Sequence, residues 1–324
     1  MYHRVANSEF DPWKLCVSEE NFHAQLVAIT KAATTMGISD YVEANKAGYP
    51  LPKRIAVVTF DDGYVDNLHT ALPLLARHKV PATFYITTGY VGSPREFWWD
   101  WLETLLIVPN ELPAVLELHL PDCKREWKLG DARIYNHFAR AADWDVNPWS
   151  APVGTRLNFF YDVWKTLWPL QDKFRWSVLQ DIADWSGHPE PTNLERRPMT
   201  HDELRRLAQQ DFIEVGAHSV DHPPLPAHPE FEQRRQITLS RDFLQEVSPK
   251  PVRSFAYPHG EFSAQTITLL QEAGFDSAVT VEQKLAGPNC NAMVLPRFGV
   301  RDMSGDDLGL RLQKWFDHVP AANG

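Results

Sequence analysis

The stretch Ile55-Ala-Val-Val-Thr-Phe-Asp-Asp-Gly63 begins with an apolar run and ends with two adjacent aspartates before a glycine. The apolar run predicts a buried strand, and both carboxylates follow directly where that strand ends. A second stretch, Phe212-Ile-Glu-Val-Gly-Ala-His-Ser-Val-Asp-His222, predicts another strand followed by two histidines. Side chains at the carboxyl ends of parallel strands converge on one cleft. The two stretches therefore predict a single site in an α/β fold.

The side chains of this predicted site suit a divalent metal ion such as zinc. Two imidazoles and one carboxylate can bind such an ion and leave a coordination position open, which is typical of a catalytic metal. The second carboxylate would then stand beside the metal as a base. Hydrolysis by an activated water is the reaction that these groups favour.

Each motif alone also has a simpler explanation. Asp-Asp-Gly often only forms a turn, because Asp bonds its own backbone and Gly accepts a positive φ. Many His-x3-His pairs are merely solvated, and Pro223 biases His222 towards an extended conformation, so a distorted turn is expected there rather than a long helix. The combination is more specific, since both motifs follow predicted strands.

Four segments resemble the NodB-type polysaccharide deacetylases, carbohydrate esterase family four. They are VVTFDDGYVDNLHTALPLLARHKVPATFYITTGYVG at 57–92, EVGAHSVDH at 214–222, SFAYPHG at 254–260 and VLPRFGV at 294–300. The resemblance covers residues 1–92 and 198–316 and leaves the middle of the chain as an insertion. It implies a metal-dependent hydrolase that removes an N-acyl group, most simply acetyl, from an amino sugar.

The resemblance also implies roles for individual residues. Asp62, His218 and His222 would bind the metal, which is expected to be Zn²⁺. Asp61 would be the general base that takes a proton from the attacking water. The backbone amide near Tyr257 would help to hold the tetrahedral oxyanion.

The sequence departs from the family pattern at two places. Many members have an arginine in the third motif that orients the base, where this chain has Ala256; Arg253 or Arg297 could replace it. Many members also have a C-terminal histidine as general acid, and the corresponding stretch here contains none. Protonation of the leaving amine would fall to Asp61 after it has accepted a proton, or to His259.

Strands and helices alternate outside the insertion. Ser18 is expected to cap a first helix that ends at Gly37, and Thr200-His-Asp-Glu203 is a capping box. Such alternation predicts parallel strands with helices outside, and we expect an irregular, incomplete β/α barrel of the NodB type. The predicted strands are 55–60, 82–87, 212–216, 254–257, 277–281 and 293–298, and the later predicted helices are 66–78, 200–210, 231–247 and 263–273.

The predicted domains are a deacetylase barrel of residues 1–92 and 198–324 and a largely helical insertion of residues 93–197. The insertion carries ten of the twelve tryptophans, and apolar stripes at 157–168 and 174–182 predict two helices within it. Most of these aromatics are expected to form the insertion's own core. Because sugar rings stack on exposed aromatic faces, Trp98 and Trp99 are the candidates for lining the substrate cleft.

Composition narrows the class of protein. A chain of 324 residues with 44% hydrophobic content can bury a substantial core, and it contains no run of the ~20 apolar residues that a membrane helix needs. The formal charge of −10 argues against nucleic acid as a partner. A strand-like start and three widely spaced cysteines predict a cytoplasmic protein without disulfides. The oligomeric state is not predicted.

Three functions remain compatible with the sequence. The first is removal of an N-acyl group from an amino sugar of a surface glycan or its precursor. The second is hydrolysis of a formamide or another C–N amide by the same fold, and the third is glycan binding by a degenerate site. The complete set of Asp61, Asp62, His218 and His222 argues against the third, since a glycan-binding protein does not need them.

Overall fold

The computed structural model describes residues 1–8, 10–188, 196–287 and 290–317. The chain divides into two compact units, which we call the barrel unit and the insertion unit. The barrel unit comprises Met1–Ser8, Leu15–Gly92 and Pro198–Gly324, and the insertion unit comprises Glu9–Lys14 and Ser93–Arg197. The segment Glu9–Lys14 thus groups with the insertion, whereas the predicted boundaries left it with the barrel. That the two segments are separate folding domains stays a prediction.

The described elements follow one another in an order dominated by strand–helix alternation. The strands are β1 (Arg4–Val5), β2 (Cys16–Val17), β3 (Thr34–Thr35), β4 (Ile55–Ala56), β5 (Val58–Phe60), β6 (Ala82–Ile86), β7 (Val115–His119), β8 (Lys124–Lys128), β9 (Ile213–Ala217), β10 (Ser254–Ala256) and β11 (Ser277–Val279). The α-helices are α1 (Glu19–Ala32), α2 (Ile38–Ala47), α3 (Leu72–His78), α4 (Trp98–Leu106), α5 (His137–Asp143), α6 (Arg156–Leu167), α7 (Asp172–Ser186), α8 (His201–Ala208), α9 (Glu230–Val247), α10 (Ala264–Glu272) and α11 (Gly305–Asp317).

A curled parallel sheet forms the centre of the barrel unit. Its strands run in the order β11-β10-β9-β6-β5, and each pair is parallel. Single bridges extend the sheet at both edges, from Phe60 to Tyr2 and from Val279 to Leu295. The two edge segments also meet, because the Val300 N–H donates to the Met1 carbonyl at 3.0 Å. The irregular, incomplete β/α barrel predicted from the sequence is confirmed.

Close packing between strands fixes the sheet. The rings of Phe60 and Phe84, opposite each other on β5 and β6, stack with centroids 4.6 Å apart. Gly216 on β9 faces Tyr85, and a Cβ at position 216 would lie 2.5 Å from the Tyr85 ring. A larger residue there would separate β6 from β9, so glycine is required by the close approach. Most strand residues of this sheet are buried, as is usual where helices cover a parallel sheet.

Two predicted boundaries were wrong. The first helix does not continue to Gly37: α1 ends at Ala32, and the β-branched residues of β3 pair with β4 before α2 begins. The predicted strand 293–298 is not regular either. Ala292–Val294 forms a 3₁₀ turn, and only Leu295 bridges to β11. Pro296 is the physical reason, because it has no N–H to donate to a strand ladder.

The insertion unit contains α4 to α7 and an antiparallel hairpin, β7–β8, that the sequence analysis did not predict. Buried leucines alternate with exposed residues along β7, and the same alternation in the sequence is the signal that was missed. The stripe at 157–168 forms α6 and the stripe at 174–182 lies in α7, as predicted. The buried guanidinium of Arg156 links separate parts of this unit, because it donates hydrogen bonds to the carbonyls of Leu106, Pro109 and Ala132.

Among the helices described, none combines the length and apolar character needed to cross a bilayer.

Candidate active site

Asp61 and Asp62 leave the sheet at the end of β5 with an abrupt change of backbone direction. The Asp61 N–H still donates to the Tyr2 carbonyl at 3.0 Å, as a strand residue would. Asp62 then adopts a φ of 74° and Gly63 a φ of 93°. Left-handed backbone at a non-glycine residue costs about 1–2 kcal/mol, so the fold must stabilise this turn. The turn directs the two neighbouring carboxylates into different surroundings.

The two predicted histidines follow β9 in a distorted loop. The His218 N–H continues the sheet by donating to the Ile86 carbonyl at 3.0 Å. Ser219 and His222 then have φ values of 62° and 54°. The Ser219 hydroxyl accepts the His222 N–H at 3.0 Å, which closes the loop. The distorted turn predicted here in place of a long helix is present. The extended conformation expected for His222 before Pro223 is wrong, because the bond from its N–H to the Ser219 hydroxyl holds the residue at a left-handed φ.

Asp62, His218 and His222 lie together, and all three side chains are buried. The Nε2 atoms of the two histidines are 3.0 Å apart, and each lies 3.6 Å from Asp62 Oδ1. Every separation is below twice the ~2.0–2.2 Å bond lengths of zinc to nitrogen and oxygen ligands, so one ion can reach all three atoms. Within the described ranges, this is the single group of three or more His, Cys, Asp or Glu side chains with such spacing.

The tautomer of His218 leaves Nε2 available as a ligand. Its Nδ1 lies 2.7 Å from the Ala256 carbonyl oxygen. Because that oxygen can only accept a hydrogen bond, Nδ1 carries the hydrogen. Burial lowers the pKa of His218, and the neutral ring therefore presents a lone pair at Nε2. A backbone carbonyl that fixes a metal-binding imidazole in this way is common at metal centres.

Asp61 forms a buried, bidentate ion pair with Arg297. The two guanidinium nitrogens Nη1 and Nη2 each donate to one carboxylate oxygen at 2.7 Å. Nη1 also donates to Thr59 Oγ1, and Nε donates to the Thr280 carbonyl at 2.9 Å. Burial alone would raise the pKa of Asp61, but the charge and hydrogen bonds of Arg297 outweigh it and hold that pKa well below its usual range. Arg253, the other candidate, instead pairs with exposed Asp276.

His3 borders the same site and was missed by the sequence analysis. Tyr2 bridges to Phe60, so His3 and Asp61 occupy neighbouring positions on adjacent edge segments. Burial lowers the pKa of His3 to about 4; the negative charge of Asp61 opposes this shift, and the positive charge of Arg297 adds to it. The ring is therefore uncharged at neutral pH. The strand-like start Met1–Val5 contained the signal, but its sheet partner could not be read from the sequence.

The oxyanion role predicted for the backbone amide near Tyr257 stays a prediction, although the Tyr257 N–H itself is bonded within the barrel. The Tyr257 N–H donates to the Val279 carbonyl at 3.2 Å, and its hydroxyl donates to the Met293 carbonyl at 2.8 Å. Both groups are therefore committed to the barrel, since β10 pairs with β11 at this point. His259, two residues later, has a φ of 58°, and its ring centroid lies 4.4 Å from that of His222. His259 is thus at the site, whereas the Tyr257 amide is bonded elsewhere.

Trp98 and Trp99 are buried, with 0% and 6% of their surface exposed. Trp98 stacks on Trp164 at 5.9 Å, and the guanidinium of Arg175 lies 4.7 Å from the Trp98 ring. Trp99 stacks on Phe97 at 4.7 Å. These contacts are those of the packing alternative, in which the aromatics form the core of the insertion. A substrate-stacking role for either ring stays a prediction.

Comparison with known families agrees with the motifs. The family described as polysaccharide deacetylase matches residues 48–141 and 183–278, which is more than half of the chain. The chain belongs to the polysaccharide deacetylase family. The predicted family is therefore confirmed, and the predicted enzyme class, a carbohydrate deacetylase acting on C–N bonds, is that of the family.

Similarity to individual family members is lower and partial. A poly-beta-1,6-N-acetyl-D-glucosamine N-deacetylase of Staphylococcus aureus is 29% identical over 105 residues, which are 28% of this chain and 36% of that protein. A putative polysaccharide deacetylase of Bacillus subtilis, YxkH, is 22% identical over 116 residues, covering 36% of this chain and 41% of the relative. The chain thus spans well under two thirds of the curated relatives that it matches.

Solved structures of deacetylases share the fold over almost the whole chain. The Streptococcus pyogenes deacetylase PplD in complex with acetate has a TM-score of 0.57 at 15% identity, covering 97% of this chain and 96% of its own. IcaB from Ammonifex degensii has a TM-score of 0.57 at 16% identity, covering 96% and 94%. At these identities the likeness establishes the fold alone.

Proposed function

We propose that this protein hydrolyses an N-acyl amide, most simply N-acetyl, on an amino sugar of a surface glycan or its precursor. The observation that carries the proposal is the pairing of two adjacent carboxylates with different partners. Asp62 faces His218 and His222, while Asp61 is held by Arg297. The Staphylococcus aureus relative is named as an N-deacetylase of an N-acetylglucosamine polymer, which supports an amino-sugar substrate.

Asp62, His218 and His222 would hold the metal, and Zn²⁺ fits this donor set best. One carboxylate and two imidazoles leave a position open for solvent or substrate, as catalytic zinc requires. When bound, the ion lowers the pKa of a water molecule and polarises the amide carbonyl. The buried setting of the three ligands keeps competing water away from the reacting groups.

Asp61 acts as the general base in this proposal. Arg297 contacts both carboxylate oxygens and so fixes the plane of the carboxylate beside the three ligands. The lowered pKa of Asp61 keeps its carboxylate ionised at neutral pH, so that it can accept a proton. Once protonated, an acid of such low pKa gives the proton up readily, so Asp61 can pass it to the leaving amine. The neighbouring ring of His259 is the other group that could deliver it.

Metal analysis and three variants test the proposal. Purified protein should contain or bind one Zn²⁺, and His218→Ala should lose it because two ligands are too few. Asp61→Asn should keep the metal yet lose about 100- to 10,000-fold in turnover, since an amide cannot accept a proton. Asp62→Asn should weaken metal binding instead. Equal metal loss in both aspartate variants would contradict the assigned roles.

A substrate screen separates the remaining possibilities. N-acetylated and N-formylated amino sugars distinguish the deacetylase from the deformylase that the sequence also allowed. Binding without turnover in the metal-loaded protein would favour glycan recognition alone. The predicted cytoplasmic location belongs to the same proposal, and cell fractionation tests it; Cys16, Cys123 and Cys290 are free thiols, as a reducing compartment favours.

A further inference from the structure

The loop that carries both histidines holds a strained shape. Ser219 and His222 have left-handed φ values of 62° and 54°, which L-residues keep only where their surroundings impose them. Part of the restraint is backbone: the Thr88 N–H donates to the Ser219 carbonyl at 3.1 Å, and the Gly89 N–H donates to the Val220 carbonyl at 2.9 Å. These bonds restrain the loop only on the side of β6, so a second restraint is needed on the side of α9.

Gln236 on α9 supplies that second restraint. Its side-chain Oε1 accepts the N–H groups of Val220 and Asp221, both at 2.9 Å. Its Nε2 donates to Asp221 Oδ2 at 2.7 Å and to Glu232 Oε1 at 3.0 Å. The residue is 1% exposed, so water cannot readily replace these four bonds. One buried amide therefore spans the middle of the loop between the two histidines.

The chemistry of the amide matches its four partners. Two backbone N–H groups require an acceptor, and two carboxylate oxygens require donors, which a primary amide provides at opposite ends. Glutamate would offer acceptors alone and would bring a third carboxylate towards Asp221 and Glu232. Arg235 adds one further bond to Asp221 Oδ2 at 2.6 Å, but its side chain is 41% exposed. Gln236 is thus the buried member of this network.

We propose that Gln236 is a positioning residue for the metal centre, which holds the strained loop so that His218 and His222 present their Nε2 atoms to one ion. The proposal rests on the metal centre proposed above. Gln236 touches neither the ion nor the substrate and acts through the backbone of Val220 and Asp221. Loss of such a supporting bond typically lowers metal affinity by about 10- to 100-fold.

Gln233 provides a matched control on the same helix. It is also buried, at 2% exposure, and its side chain makes hydrogen bonds of similar length to the His228 carbonyl, 2.9 Å, and from Thr266 Oγ1, 2.8 Å. None of these bonds involves the loop between His218 and His222. Truncating Gln233 therefore costs buried hydrogen bonds without removing the restraint on the ligands.

The experiment compares Zn²⁺ affinity in the full chain for the wild type, Gln236→Met, Gln236→Glu, Gln233→Met and His218→Ala. Competition against a chelating dye gives the Kd, and the melting temperature of the metal-free protein gives stability. Gln236→Met should raise the Kd by about 10- to 100-fold, whereas Gln233→Met should leave it within about twofold at a similar loss of melting temperature. Gln236→Glu keeps the side-chain length and tests the positioning role if Gln236→Met does not fold. Its Kd for Zn²⁺ should rise by at least about tenfold.

Wild-type Kd values in a folded Gln236 variant would overturn the positioning role, as would an equal loss of affinity in Gln233→Met. These outcomes differ from a failure of the proposed function itself. If the wild type and His218→Ala bind Zn²⁺ equally, or neither binds it, the metal centre is absent and the positioning role falls with it.

Discussion

Arg297 brings a positive charge to Asp61 from the far end of the chain, 236 residues away. In many members of the family an arginine of the third motif supplies this charge. The present chain has Ala256 at that place, a buried residue on β10. The pair is bidentate and largely shielded from solvent, so removing the cation would leave a buried carboxylate without its partner. Breaking such a pair is strongly destabilising, by about 3–5 kcal/mol. The orientation of Asp61, the proposed base, and the stability of the barrel unit therefore both depend on the side chain of Arg297.

The Arg297→Lys variant should fold and bind metal like the wild type. Its kcat/KM should be about 100-fold lower, because a lysine cannot contact both carboxylate oxygens of Asp61 as the guanidinium does. Arg297 lowers the pKa of Asp61, so weakening the pair raises that pKa. The base works when ionised, and the acid limb of the kcat/KM profile should accordingly move to higher pH. A pH-rate profile measures the shift, with Arg253→Lys as the surface control. An unchanged profile would show that Arg297 does not tune Asp61.

At the scale of elements, three strand ends deliver parts of the candidate site. Asp61 and Asp62 follow β5, His218 follows β9, and Ala256 of β10 orients the His218 ring. The elements are short, yet their ends are specified by local chemistry. The capping box of α8 is one example: Thr200 Oγ1 accepts the Glu203 N–H at 3.2 Å, and Glu203 Oε2 accepts the Thr200 N–H at 2.8 Å.

Local signals of this kind explain what the sequence could predict. The parallel strands, the helix at 200–210 and the motif residues were all visible because they depend on neighbours in the chain. Pairing between distant segments was not visible. The choice of Arg297 over Arg253, the position of His3 beside Asp61 and the commitment of the Tyr257 amide to Val279 all depend on which segments become adjacent at the sheet edges.

Trp98→Ala should lower the free energy of unfolding by about 3–5 kcal/mol, because it removes a buried indole from α4. Trp149→Ala is the control, since Trp149 is 54% exposed in the same unit and should leave stability nearly unchanged. Urea unfolding and steady-state kinetics on both variants separate packing from substrate binding. A raised KM in Trp98→Ala at wild-type stability would instead support the predicted stacking on substrate.

Glu103 should make stability fall as pH rises. Burial raises its pKa to about 8, Arg196 opposes this, and Asp100 and Asp11 reinforce it. Between the ordinary pKa, 4.5, and about 8, the folded state holds a proton that the unfolded state releases, so unfolding becomes easier with increasing pH. One proton gives at most about 1.4 kcal/mol per pH unit.

The comparison of wild type with Glu103→Gln isolates this effect. The amide cannot ionise, so the variant should lose the part of the pH dependence that Glu103 causes. Urea unfolding at pH 5, 6.5 and 8 gives the difference in free energy between the two proteins at each pH. A difference that stays constant across the three would mean that Glu103 is ionised in the folded protein throughout.

At the scale of the whole molecule, the proposed metal ligands Asp62, His218 and His222 and the proposed base Asp61 all belong to the barrel unit. The two points where the insertion leaves and re-enters this unit are adjacent, because the Gly92 N–H donates to the Met199 carbonyl at 2.9 Å. A short linker can therefore span them. We therefore hypothesise that the barrel performs the proposed chemistry and that the insertion contributes to the selection of the substrate.

Replacing residues 93–197 by a short Gly/Ser linker, together with Trp13→Ser, should leave a folded barrel that binds Zn²⁺ within about tenfold of wild-type affinity. Trp13 is changed because its ring packs on Phe160 and Trp164, which the deletion removes. Turnover of a small N-acetylated amino sugar should survive better than turnover of a polymer. The same deletion carrying His218→Ala is the control, and loss of metal from the deletion alone would refute the hypothesis.

The bond between Met1 and Val300 and the pair between Asp61 and Arg297 join segments that lie far apart in the sequence. Both contacts raise the contact order of the barrel, and a high contact order slows folding. The central strands pair over shorter separations and can form earlier. Asp61 and Arg297 thus meet only when the segments at both edges of the sheet are in place, so their ion pair marks the completion of the barrel.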